Sequence, residues 1–208
     1  MPAAWRSRHA TPASRDASRH RRRPRRRLLD HRFGHYASSV QRAVGSGSLS
    51  ADQRRGLHVG SRAVLNRLYE TVPSSRAFVA RAAGVLVFPR VIDASLVIGG
   101  EYGLGELRTG GTVAGYYRTA TGSIGPQIGA QSKALVLLFM TPESLNRFRN
   151  AGTAWSVGAD ASVALLKVGA NGEIDANVAR SPTVAFVMTN AGLMADASLE
   201  ATRISRID

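Results

Sequence analysis

His58 is the only histidine between Ala51 and Asp208, and it sits among Arg54, Arg55 and Arg62 in a stretch with helical periodicity. Acyl transfer by serine needs a histidine base held by a third group, and a nitrogen-ligated metal needs several imidazoles in one place, so neither chemistry can be assembled inside this segment. The other four histidines all precede Val40. There is no cysteine, which removes thiolate metal sites, a thiol nucleophile, disulfides and a lipidated cysteine. Glu101 and Glu106 could pair as acid and base, but an offset of five along a strand puts them on opposite faces. An enzyme built on Glu101 and Asp160 is the weakest of the readings. Gly103-Leu104-Gly105-Glu106-Leu107-Arg108 opens like a dinucleotide fingerprint, yet Arg108 stands where the third glycine belongs and no helix follows. No cofactor, metal or catalytic residue is expected, and the segment is read as a binding domain.

The residues that could bind are cations. Arg54, Arg55, Arg62 and Arg67 border an amphipathic pattern made by Leu57, Val64, Leu65, Leu68 and Val72. A basic amphipathic helix suits an anionic phospholipid surface, with stems packed on apolar neighbours and guanidinium groups at the phosphates. The competing reading is a core helix with a solvated basic face. Tyr102, Tyr116 and Tyr117 lie beside glycines, where rings covering exposed backbone are favoured over stacking on a ligand. Nucleic acid is not expected as a partner of the folded part, because Arg118 almost alone accompanies these aromatics.

The elements that must position these residues follow from period and punctuation. Ser50 followed by Gln53 forms a capping-box pattern that opens a helix, and Pro73 ends it. Ser74 or Ser75 can cap a second short helix through Ala83, with Gly84 as its stop. From Val85 the period changes to strand: Val85 to Phe88 and Ala94 to Ile98, separated by Pro89-Arg90, then a glycine-punctuated strand to Thr109, a Gly110-Gly111 turn and Thr112 to Thr119. Lys133 to Met140 is apolar without alternation and predicts a buried central strand. Thr141-Pro142-Glu143 starts an inserted helix to about Asn150. Strand patterns at Trp155 to Ala161, Ser162 to Val168, Val184 to Thr189 and Leu193 to Glu200 complete the chain. The fold class is α+β, with N-terminal helices packed on a glycine-rich, mainly antiparallel sheet and one inserted helix.

Residues 1–50 differ in kind. They hold 12 Arg against Asp16 and Asp30, a net of +10 out of +14, which leaves +4 for residues 51–208. Such a segment cannot bury enough apolar surface to fold. It reads as a disordered arginine-rich tail or as translation from a misassigned start. Arg21-Arg22-Arg23-Pro24-Arg25-Arg26-Arg27 has the look of a targeting run but lacks the apolar stretch that should follow.

Several motifs, in order, carry a resemblance: Gly84-Val85-Leu86-Val87-Phe88-Pro89, Gly99-Gly100-Glu101-Tyr102-Gly103-Leu104-Gly105, Gly115-Tyr116-Tyr117, Gly122-Ser123-Ile124-Gly125, Gln127-Ile128-Gly129-Ala130-Gln131-Ser132, Trp155-Ser156-Val157-Gly158-Ala159-Asp160-Ala161-Ser162 and Asn190-Ala191-Gly192-Leu193-Met194-Ala195. Over residues 51–208 the chain resembles the SYLF lipid-binding domain. The resemblance implies phospholipid binding without catalysis, with phosphoinositide and actin roles in eukaryotic members and cell-envelope lipoproteins among bacterial ones. It places the protein at the cell envelope, on the periplasmic face of a membrane, where an envelope protein partner is the alternative to direct lipid recognition. Asp93-Ala94-Ser95 stands where relatives often have a further glycine, and the anchoring cysteine of envelope relatives is missing.

Overall fold

The computed structural model describes residues 48–93, 100–122, 132–151, 154–166, 178, 180–189, 192–194, 199 and 202–207. Helix α1 (Ala51–Thr71) starts as its sequence requires: Ser50 accepts from the Gln53 backbone N–H at 3.2 Å, and the Gln53 side chain accepts from Ser50 N at 2.8 Å. Both ends of the box are therefore satisfied, closing two of the donors a helix leaves open. Leu57, Ser61, Val64 and Leu68 form its buried stripe. Helix α2 (Ser75–Arg81) follows Pro73. Ser74 occupies its cap position without a side-chain bond, and Ser75 is buried, its hydroxyl 3.5 Å from the Leu68 carbonyl.

Gly84 is not the stop of α2, which caps at Ala82. It is the first residue of β1 (Gly84–Asp93), and a Cβ there would lie 2.7 Å from Leu145 Cδ1, so glycine lets the inserted helix close onto the sheet. Pro89-Arg90 does not divide two strands. β1 runs through it, with register shifts against both neighbours between Val87 and Val91. A bulge frees one residue from the ladder, and proline, which has no N–H to give, fits there. The expected strand Ala94 to Ile98 and the motifs from Ser123 to Gln131 lie outside the described residues.

β2 (Gly100–Thr109) and β3 (Thr112–Gly122) form a hairpin whose two loop residues, Gly110 and Gly111, have φ of 56° and 81°. Positive φ at both positions is what a tight hairpin needs for its twist. β4 (Lys133–Phe139) lies between β1 and the strand Thr183–Thr189, buried on both faces as its apolar run predicts. Helix α3 (Pro142–Arg149) is capped by Thr141 and Ser144 in a reciprocal box. β5 (Trp155–Ser156), β6 (Ala164–Leu165), β7 (Thr183–Thr189), β8 (Gly192–Leu193) and β9 (Thr202–Ile207) complete one sheet in the order β5-β9-β3-β2-β1-β4-β7-β6, with β8 on β7. Every pairing between these strands is antiparallel except β6 with β7. The architecture is α+β.

Alternation along the strands splits the core. On one face Leu86, Phe88, Leu107, Leu137, Phe139 and Val187 pack with Leu145 and Phe148 of α3 and with Trp155. Val85, Val87, Val136, Leu138, Phe186 and Met188 on the other face meet Val64 and Leu68 of α1 and Phe78 of α2. Leu49, Leu57, Tyr102, Leu104 and Ile207 form a third cluster under the start of α1. β9 is absent from the sequence reading, which ends its strands at Glu200. Its only apolar residues, Ile204 and Ile207, are three apart and so fall on opposite faces without an apolar alternation, and burial comes from pairing with β3 and β5.

Candidate functional site

Helix α1 presents three sides, and the four arginines do not share one. At 100° per residue, Arg55 and Arg62 fall within about 20° of each other, whereas Arg54 and Arg67 stand on opposite flanks about 140° apart. Arg55 and Arg62 are exposed on the outward side with Val59, whose exposure of 68% is the largest among the described large apolar residues. Val59 lies within about 60° of both arginines. Arg55 is also paired with Asp52.

The flank facing β2 and β3 is held by fixed contacts. Arg54 donates Nε to the Leu49 carbonyl at 3.1 Å, and its guanidinium lies 5.5 Å from the Tyr116 ring centroid. One turn on, His58 Nδ1 is 3.6 Å from Glu106 Oε1, a carboxylate with no solvent exposure. Arg108 Nη1 reaches the same oxygen at 3.3 Å, and its Nη2 donates to the Gly111 carbonyl at 2.9 Å. A buried carboxylate persists when charge and hydrogen bonds compensate it. Glu106 thus ties α1 to the hairpin. Arg76 stacks on Tyr69 at 4.6 Å, and burial raises the Tyr69 hydroxyl above the ordinary tyrosine pKa against the opposing pull of Arg76 and Arg108.

The opposite flank of α1 is thin. Gly56, Gly60 and Ala63 leave space between the helix and the β1 bulge, and a groove of about 590 Å³ opens there, bordered also by Pro89, Leu104, Lys133 and Ala134. Gly60 is the point of closest approach, where a Cβ would sit 3.0 Å from Pro89 Cβ; at Gly56 a Cβ would meet nothing within 4 Å. Arg67 lines the groove, its Nε buried without a hydrogen-bond partner among the described residues. Lys133 is held by Glu101 at 2.7 Å. Groove and exposed valine were both absent from the sequence reading. The glycine spacing of four in α1 was the available signal.

The remaining motif residues are structural. Glu101 is engaged with Lys133 while Glu106 faces α1. Asp160 accepts from the Ser156 backbone N–H at 2.5 Å, closing a turn in which Gly158 has a φ of 90°. That turn fixes Trp155 edge-on to Phe139 and Phe148, at 6.2 and 5.4 Å. Tyr117 packs 4.9 Å from Phe148 and covers Gly115, where a Cβ would meet its ring at 3.3 Å. Burial raises the hydroxyls of Tyr102 and Tyr117 above their ordinary pKa, with nearby arginines pulling the other way. Among the described residues no group of three His, Cys, Asp or Glu could hold a metal, and no helix is long and apolar enough to cross a membrane.

The described residues form an α+β fold with helix α1 laid across the sheet. Residues 120–208, less than half of the chain, match the family model described as Ysc84: Las17-binding protein actin regulator, and over that span the chain is similar to this family, the SYLF family. The SYLF domain is associated with lipid binding and actin regulation, and is a binding domain and not a catalytic one. Helix α1 and the motifs between Gly84 and Gly105 lie before the matched span. No curated protein matches the chain.

Proposed function

We propose that the protein binds anionic phospholipid surfaces without catalysis, through the outward side of α1, at the membrane face of the cell envelope. The carrying observation is Val59, 68% exposed and flanked by Arg55 and Arg62 one turn to either side. An apolar side chain held between two cations matches the boundary between acyl chains and phosphates. Each cation near an anionic surface contributes about 1 kcal/mol, and sinking Val59 adds up to about 1.5 kcal/mol. Arg54 and Arg67, on the flanks, add to the field at closer approach.

Sedimentation of the full chain with anionic and with zwitterionic vesicles tests this. Arg55→Ala with Arg62→Ala removes about 2 kcal/mol, so affinity for anionic vesicles falls roughly thirtyfold. Val59→Asp also reduces sedimentation. Unchanged binding by both variants removes α1 from the mechanism.

The matched family's description as a protein-binding actin regulator favours a second reading, a protein–protein module at the envelope without direct lipid recognition. Half-buried Tyr116 under Arg54 is the aromatic such a partner could reach. Loss of a protein partner on Tyr116→Ala with vesicle binding intact supports this second reading.

A further inference from the structure

We infer that the groove beneath α1 is a second, separate site, which takes one acyl chain of an amphiphile and holds its anionic head at Arg67. The inference rests on the lipid reading above for its class of ligand, but its geometry is its own. The groove borders the inward flank of α1, away from Val59, and its volume of about 590 Å³ lies within the range of small-molecule pockets. Its walls are mainly apolar: Gly56, Gly60 and Ala63 on the helix, Pro89, Leu104 and Ala134 on the sheet. Gln53 and Arg67, the first and last helix residues to line it, are 14 positions apart, about 21 Å along the axis. That exceeds the roughly 15 Å one lipid chain spans in a leaflet, half of the hydrocarbon core.

Charge identifies the head. Of the three cations lining the groove, Lys133 is neutralised by Glu101 at 2.7 Å and Arg90 has an interaction of its own, whereas Arg67 has a buried Nε with no partner among the described residues. Arg67 lines the end of the apolar trough, and a guanidinium there is complemented by a carboxylate or a phosphate, not by a second apolar group. A fatty acid and a single-chain phospholipid share this chemistry. The experiment includes both.

Laurate and a lauroyl lysophosphatidate, each below its micelle concentration, compete with a fluorescent fatty acid for the full chain. Dodecanol is the uncharged control. Gly56→Leu fills the groove where a side chain meets open space, and leucine is the better helix former, so this variant keeps its fold. Expected are saturable one-to-one binding, a loss of at least about tenfold in Gly56→Leu, and in Arg67→Gln a loss of about tenfold for the two anions but not for dodecanol. The preferred anion distinguishes fatty acid from lysophospholipid. Val59→Asp keeps laurate binding while losing vesicles, and Gly56→Leu does the reverse, so the surface reading and the groove fail separately. Absence of saturable binding, or parental affinity in Gly56→Leu, overturns the groove. Equal losses for laurate and dodecanol in Arg67→Gln overturn the assignment of the head.

Discussion

Replacing Arg108 by Met tests whether the buried carboxylate of Glu106 is what fastens α1 to the sheet. Glu106 has no solvent exposure, and its Oε1 is served by Arg108 at 3.3 Å and by half-exposed His58 at 3.6 Å. Methionine keeps much of the apolar stem of Arg108 but removes the charge, leaving a carboxylate that can neither reach water nor find a full counter-ion. Breaking a buried pair from one side costs about 3–5 kcal/mol, and the lower end is expected here because His58 remains. The lost bond from Arg108 to the Gly111 carbonyl accounts for about 1 kcal/mol of it. For a chain of this size, roughly 2–4 °C per kcal/mol translates the loss into a fall in Tm of about 10 °C. Adding Glu106→Gln to Arg108→Met removes the stranded charge and restores about 2 kcal/mol or more. Urea unfolding of the parent, both single variants and the double gives the coupling directly. An Arg108→Met variant within about 1 kcal/mol of the parent, or a double variant no more stable than Arg108→Met, refutes the reasoning.

Gly105→Ala places a Cβ 2.6 Å from both Phe88 Cδ1 and the Val87 carbonyl, and since backbone cannot swing aside, urea unfolding is expected to show a loss of about 2–3 kcal/mol, whereas Gly56→Ala, in open space within a helix, gains up to about 1 kcal/mol. Asp52→Asn frees Arg55 and removes a repelled charge, so anionic vesicles bind about fivefold tighter while the first turn of α1 loses about 0.3–1 kcal/mol of helix-dipole stabilisation, both readable from one preparation by sedimentation and thermal unfolding. Tyr102 and Tyr117 have hydroxyls raised above the ordinary pKa by burial. Their native state disfavours tyrosinate, so stability is intact below about pH 10 and falls as pH rises through the native values, by up to about 1.4 kcal/mol per pH unit for each tyrosine. Unfolding followed across that range in the parent and in Tyr117→Phe, which shows a shallower decline, checks the sign.

Local chemistry was legible wherever one stretch of chain settles it alone. The Ser50 and Gln53 box, the Thr141-Pro142 start, the Gly110-Gly111 turn and the apolar run of β4 each specify their conformation by neighbours within a few residues. Pro89 misled, because proline breaks a strand by local rules, while a bulge between two partner strands accommodates it. The sequence also named Arg54, Arg55, Arg62 and Arg67 as one set.

Tertiary structure decided which way each of them looks. Arg54 is spent on Leu49 and Tyr116, Arg55 and Arg62 stand outward around Val59, and Arg67 turns to the groove. Periodicity gives an angle about a helix axis but not what occupies the space at that angle, which depends on strands far away in sequence. Gly56 and Gly60 illustrate the limit: one glycine faces open space and the other touches Pro89, a difference that only the packing of α1 across the β1 bulge creates.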